Sequence, residues 1–255
     1  MTRHPLRAAY LAVAAFVALF AIAWVVQQTL YVRPPVEDLT PTGSRPLESA
    51  PVARPAPTAD AGQDPAATGV PQVDPAWLRR TAAAAGLSET ALGAYARAEL
   101  EAPPSCGLGW TTLAGIGWVE SQHGTLGGRT LGADGRSSTP ILGPALDGQG
   151  AFAAIRATPR TTTYHGDPDW DHAVGPMQFI PSTWETWAAD GDGDGVQDPN
   201  DLDDAALAAA DYLCAGHRDL TTGEGWTSGV LSYNNARVYL DDVHAAATSY
   251  ADRTG

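Results

Sequence analysis

From residue 73 onward, apolar side chains recur at three- and four-residue spacing and not in alternation, a period that predicts helices. One helix is expected over 74–85, stopped by Gly86, and a second over 88–100, with Ser88 as N-cap and Pro103 beyond its end. A third spans about 111–122. Helical spacing returns at 181–189, at 205–215 with Gly216 as the stop, at 229–233 and at 236–250. Ser182 followed by Glu185 reads as a capping box, which gives Glu185 a structural role. Residues 123–174 are rich in Gly, Thr, Asp and Pro, with one short apolar piece at 151–155. So long an irregular stretch in a compact domain usually shapes a binding surface. No strand ladder, crossover unit or internal repeat stands out. The pattern therefore predicts a mostly α fold, with a single domain over 73–255 and long loops.

Ahead of that domain, residues 8–26 read AAYLAVAAFVALFAIAWVV without a charge, close to the ~20 residues needed to span a bilayer. Arg3 and Arg7 precede the run and the next basic residue is Arg33, so residues 1–7 are expected as a cytoplasmic stub and the rest of the chain outside the membrane. A cleaved secretory signal is the competing reading, although its apolar region usually runs only about 7–15 residues. Either way the domain is exported. Residues 33–72 are crowded with Pro among Ala, Thr and Gly and poor in large apolar side chains, so they are expected to be a disordered, extended linker.

Composition narrows the chemistry. The chain has 255 residues, 44% hydrophobic, with a net charge of −14, and all 15 of its basic residues are Arg. Residues 1–72 are balanced in charge, which places the whole excess in the predicted domain. Such a surface argues against nucleic acid as a partner. The lack of Lys excludes Schiff-base chemistry and a phosphate-loop Lys. Cys106 and Cys214 form an even pair in an exported domain, which favours a disulfide, with two buried free thiols as the alternative.

Common catalytic signatures are missing: no G-x-S-x-G, no H-E-x-x-H, no C-x-x-C. The His residues are scattered, and no pair has helix-face spacing. Glu120 is the anomaly. Within TLAGIGWVESQHG it continues the apolar stripe of Leu113 and Ile116, so the carboxyl should be desolvated, with a raised pKa suited to proton donation near neutral pH. A structural carboxylate paired with Arg is the alternative from position alone. In AVGPMQFIPSTW, residues 173–184, Gly175 and Pro176 permit close backbone approach, Gln178 offers donor and acceptor, and Met177 and Phe179 give an apolar wall. SYNNARVYL at 232–240 sets Tyr233, Asn234 and Asn235 at a joint between helices. A Tyr with neutral amides recognises sugars by stacking and hydrogen bonding, while an Asn cap beside a core Tyr is the alternative.

The loop DGDGDGVQDPND, beginning at Asp190, has EF-hand spacing. Asp190, Asp192, Asp194, Asp198 and Asp201 supply side-chain oxygens at positions 1, 3, 5, 9 and 12, Val196 a backbone carbonyl, and Gly195 the sharp turn. An all-oxygen set suits Ca²⁺ in a structural role, with a solvated acidic turn as the alternative.

Taken in order, IGWVESQHG, AVGPMQFIPSTW, the aspartate loop, AALAAADYLC and LSYNN resemble the lytic transglycosylases with an SLT-type, lysozyme-like domain, specifically the membrane-bound lytic murein transglycosylase B family in its anchored actinobacterial form. The resemblance covers most of 74–250. It implies a lysozyme-like catalytic domain that cleaves the β-1,4 bond between N-acetylmuramic acid and N-acetylglucosamine without water, leaving 1,6-anhydro ends. It carries the acid/base onto Glu120, and glycan contacts onto Gln178, with Met177 and Phe179 in support, and onto Tyr233 and Asn234. The partner it implies is the peptidoglycan glycan strand. A muramidase hydrolysing the same bond, with Asp167, Asp169 or Asp171 as a second carboxylate, is one rival; a catalytically silent glycan-binding module is another. The stretch 154–170, AIRATPRTTTYHGDPDW, departs from the acidic, Gly-rich run of the family.

Overall fold

The computed structural model describes residues 50–59, 69–150 and 153–255, all within the compact unit Pro46–Gly255. The expected membrane segment at 8–26, most of the linker at 33–49 and 60–68, and residues 151–152 lie outside the described residues. Among the described residues, no helix is long and apolar enough to cross a membrane.

Helix α1 (Pro75–Ala85) begins as its sequence dictates: the Asp74 carboxylate accepts from Trp77 N at 2.5 Å, Pro75 occupies the first turn, and Gly86 closes the helix at φ 72°. In α2 (Glu89–Glu101) Ser88 caps Ala91 N in the same way. Helix α3 (Trp110–Ser121) carries Glu120. There follow β1 (Leu142–Ala145), the single turn α4 (Thr162–His165), β2 (His172–Val174), α5 (Pro181–Trp187), α6 (Leu202–Cys214), α7 (Gly223–Tyr233) and α8 (Arg237–Thr254). The fold is mostly helical, as the period predicts.

Four expectations need correction. Strands β1 and β2 pair antiparallel, Leu142 opposite Val174 and Ala145 opposite His172. Their segments are too short and too rich in Gly and Pro to show an alternating pattern. Helix α7 begins well before 229 because Thr222 accepts from Gly225 N and Glu224 lies in the first turn, which offsets the glycines. Ser182 and Glu185 form no capping box: α5 starts at Pro181, and the Glu185 carboxylate faces Arg160 Nε at 2.5 Å. The disordered-linker reading fails over 50–59. Ala56 is buried, Thr58 bridges Val73, and the carbonyls of Pro51 and Arg54 accept from Thr111 Oγ1 and Trp110 Nε1. Short side chains that cannot build a core alone can still lie flat on one.

That core is built around α3, whose residues from Trp110 to Gly117 are all buried. It packs against α8 on one side and α2 on another. Small residues permit this: a Cβ at Gly115 would lie 2.8 Å from the Val243 carbonyl oxygen. The N-terminus of α3 has no cap of its own, and Glu99 from α2 supplies one, its Oε2 accepting from Trp110 N and from Ala56 N, each at 3.3 Å. Burial pushes the Glu99 carboxyl up to about 7. Cys106 and Cys214 are joined in a disulfide that links the α2–α3 loop to the end of α6.

Candidate active site

Glu120 lies in the last turn of α3, where the helix leaves its core and its dipole disfavours a negative charge. Its partner is Tyr239 of α8, whose hydroxyl donates to Glu120 Oε1 at 2.6 Å. No Arg pairs with this carboxylate among the described residues. Burial pushes the carboxyl up to about 7, against the opposing pull of the Tyr239 hydrogen bond. At neutral pH it is therefore divided between acid and base, the poise a proton-transferring group needs.

Two further elements close on it. Ser121 Oγ donates to the Pro176 carbonyl at 2.5 Å and accepts from Gly124 N, so the end of α3 is stitched to the 174–179 turn. That turn folds back on itself, with Val174 N and Phe179 N each donating to the other's carbonyl. Gly175 is required there: its φ is 75°, and a Cβ would stand 1.7 Å from the Pro199 carbonyl oxygen. Gly175→Ala is therefore expected to destabilise the chain by about 3 kcal/mol through overpacking and the left-handed backbone, as measured by urea unfolding.

Gln178 sits at φ 52°, with its Nε2 donating to the Gly175 carbonyl at 2.9 Å and its Oε1 carbonyl left as an acceptor. Met177 and Phe179 are 0% and 3% exposed, so the expectation of ligand contact through these side chains is corrected. Both belong to the core. Met177 acts through its backbone, whose carbonyl accepts from the Tyr233 hydroxyl at 2.8 Å, while Phe179 packs edge-on against Tyr233 at 5.8 Å between ring centroids. Charge on Glu120 raises the pKa of both Tyr233 and Tyr239, after burial. Asn234 ends α7 and is exposed. The structure thus gathers Glu120, the 174–179 turn and the α7–α8 joint.

Tyr239 was not singled out from the sequence. The signal was present: Tyr239, Leu240, Val243, Ala247 and Tyr250 form the buried face of α8, and a phenol hydroxyl in an apolar face needs a partner. Tyr239→Phe removes a donor that favours the carboxylate, so it is expected to raise the Glu120 pKa further. The basic limb of the pH–rate profile should then move toward higher pH by about one unit or more.

Two of the three acidic loop residues weighed as a second carboxylate have local side-chain partners, and the third, Asp169, is exposed. Asp171 is buried against His165 at 3.1 Å, and Asp167 meets His172 at the same distance. The two rings stand 5.1 Å apart, one on the single turn α4 and the other on strand β2.

In the aspartate loop, Asp190, Asp192 and Asp204 bring ligand oxygens within 4.8 Å of one another. Asp194 and Asp201, also expected as ligands, are not in that group. Asp201 caps α6 by accepting from Asp203 N and lies 3.7 Å from Arg136 Nε. Asp204, in the first turn of α6, is in the group and accepts from Gly191 N and Asp198 N at 2.7 and 2.8 Å. Asp194 accepts from Val196 N, and Val196 is exposed. Burial, then the charges of Asp192 and Asp190, push the Asp204 carboxyl up to about 6. The donor set is all oxygen and short of positive charge, and it fits a hard divalent cation.

Residues 160–251 match the Transglycosylase SLT domain family. The matched stretch holds Gln178, Tyr233, Asn234, Tyr239 and the aspartate loop, and Glu120 precedes it. No curated relative matches the chain. Among solved structures, the Escherichia coli lytic transglycosylase Slt35 in complex with bulgecin A is 17% identical, covers 69% of this chain and 74% of its own, and gives a TM-score of 0.40. The same enzyme in complex with calcium gives 17%, 69%, 75% and 0.40. SltB3 from Pseudomonas aeruginosa in complex with NAG-anhNAM-pentapeptide gives 17% and 0.41, covering 69% of this chain and 64% of that one, under two thirds of its length. The matched stretch is mostly helical, and its one strand, β2, pairs with β1 ahead of it.

Proposed function

We propose that the chain is a lytic transglycosylase that cleaves the β-1,4 bond between N-acetylmuramic acid and N-acetylglucosamine in peptidoglycan, with Glu120 as its one acid/base. The carrying observation is the state of Glu120: half-buried, held at about 7, and faced by phenols instead of Arg. The match of 160–251 to the SLT family supports the substrate class.

In the protonated form Glu120 donates to the glycosidic oxygen; the bond from that oxygen to muramoyl C1 breaks and N-acetylglucosamine leaves as the alcohol. The Glu120 carboxylate, held by the Tyr239 hydroxyl, then accepts the proton of the muramoyl 6-hydroxyl as O6 bonds to C1. Glu120 ends protonated, as it began, and no water is consumed. The substrate's own acetamido group steadies the cationic centre. An ordinary glycosidase needs a second carboxylate as nucleophile or base; Asp167 and Asp171 are engaged by histidines, which leaves the exposed Asp169 as the candidate for that role in the rival muramidase. The Tyr233 ring, the Asn234 amide and the Gln178 carbonyl supply neutral contacts, which suits a domain too acidic for long-range attraction to an anionic wall. Mass spectrometry of digested sacculi tests the reading: 1,6-anhydro ends support it, and reducing muramic ends would replace it with a muramidase.

Ca²⁺ is proposed for Asp190, Asp192 and Asp204, where it would neutralise crowded carboxylates and brace the loop against Gly175. Calorimetric titration of the chelator-treated chain is expected to show one Ca²⁺ site that Asp204→Asn removes; a wild-type chain without binding heat overturns it. The domain is placed outside the cytoplasmic membrane, tethered through 8–26 or released by cleavage of that segment. The disulfide supports an oxidising compartment.

A further inference from the structure

Immediately after Glu120 the chain turns in a way that L residues resist. Gln122, His123 and Gly124 take φ of 54°, 59° and 83° in succession, and the first two are not glycine. Backbone bonds close the turn, from His123 N to Gly117 O at 2.9 Å and from Gln122 N to Trp118 O at 3.0 Å. Such a conformation persists only where the surroundings hold it.

Ser121 and Ser137 hold its Gly124 end, and the His123 side chain holds its middle. The ring is buried, with Nδ1 2.9 Å from the Tyr95 hydroxyl and Nε2 2.8 Å from the Tyr250 hydroxyl. Tyr95 belongs to α2 and Tyr250 to α8, the two helices that flank α3. A neutral imidazole satisfies both contacts, one nitrogen donating and the other accepting. Burial lowers the His123 pKa to about 4, so the ring stays neutral wherever Glu120 titrates. The contact also lies directly against the helix: a Cβ at Gly117 would stand 2.0 Å from Tyr95 Oη and 3.4 Å from His123 Nδ1. Gly117 is three residues before Glu120, on the same side of α3. The groups that face the Glu120 carboxyl are Tyr239 and Tyr233, so His123 acts on it through the backbone.

We propose that His123 is a positioning residue for Glu120: by tying the last turn of α3 to α2 and α8, it sets how deeply the carboxyl is buried. The inference rests on the reading of Glu120 as the acid/base, and its first measurement does not require turnover. The Glu120 carboxyl is followed by ¹³C NMR titration in the full chain. Wild type is expected to titrate near 7. His123→Gly relieves the left-handed backbone and deletes the tie. His123→Asn tolerates that backbone but is too short to hold both tyrosines, and His123→Gln restores a donor and an acceptor. In the Gly and Asn variants the midpoint should fall by about one pH unit or more toward the ordinary carboxyl range as water reaches the group, with Gln closer to wild type. On sacculi, kcat should fall by about tenfold or more at unchanged KM.

Folded variants that lose thermal stability alone, with the Glu120 midpoint and kcat at wild-type values, overturn the inference. If the Gly variant does not fold, the Asn and Gln pair carries the same comparison. A wild-type chain that leaves sacculi intact would defeat the proposed activity, and the titration would still decide the role of His123.

Discussion

Replacing Glu120 with Gln is expected to slow digestion of sacculi by about 10²–10⁴-fold, the usual range for a general acid/base, while making the folded chain more stable at neutral pH. The two effects share a cause. The folded carboxyl titrates at about 7, against an ordinary value of 4.5. Below about 4.5 both states are protonated and burial carries no electrostatic penalty. Between the two values the unfolded chain ionises first, so stability falls as pH rises, and above about 7 the full penalty applies. At 1.36 kcal/mol per pH unit this is about 3 kcal/mol. Gln has no charge to desolvate, and its carbonyl can still accept from Tyr239. Urea unfolding at pH 5 and pH 8 should therefore show the variant's advantage growing at the higher pH. A variant that digests at wild-type speed removes Glu120 from the chemistry, and an equal stability gap at both pH values removes the argument for its burial.

Glu120 was legible because the sequence breaks its own pattern there, with a carboxylate on an apolar stripe that leaves an interpretable trace. Helix termini were legible where caps were local, as at Asp74, Ser88 and Gly86. Long-range partners were not. Nothing near Glu120 names Tyr239, whose hydroxyl arrives from α8 once that helix packs on α3. The aspartate loop shows the same limit. Its spacing pointed to Asp201 as the closing ligand, but a residue at the start of a helix can serve as its cap. Asp201 does so, and the next turn brings Asp204, which the spacing did not single out, beside Asp190 and Asp192. Residues 50–59 misled for a related reason: composition reports whether a segment can form a core of its own, and says nothing of whether a finished core offers it a surface. Thr111 and Glu99 provide that surface through hydrogen bonds to its backbone.

Changing Cys106 and Cys214 together to Ser is expected to cost about 4–5 kcal/mol of unfolding free energy, the largest stability loss among the substitutions considered. The bridge closes a loop with a sequence separation of 108, and constraint on the unfolded chain grows with loop length, reaching about 4.7 kcal/mol near 100 residues. The enclosed stretch holds Glu120, the 174–179 turn and the aspartate loop, whereas Tyr233 and Tyr239 lie beyond it. Loss of the bridge therefore frees one half of the site from the other chiefly in the unfolded ensemble. In the folded chain the two ends stay together by other means: Leu220 N donates to the Cys106 carbonyl at 2.7 Å, and Arg97 on α2 pairs with Asp203 on α6. The double variant should accordingly keep near-wild-type kcat at temperatures where it is folded, while its urea midpoint falls sharply. Reduction of the wild-type chain should reproduce that fall. A variant that unfolds at the wild-type midpoint would show that the unfolded chain is already constrained without the bridge. Full stability with lost activity would instead give the bridge a direct part in shaping the site.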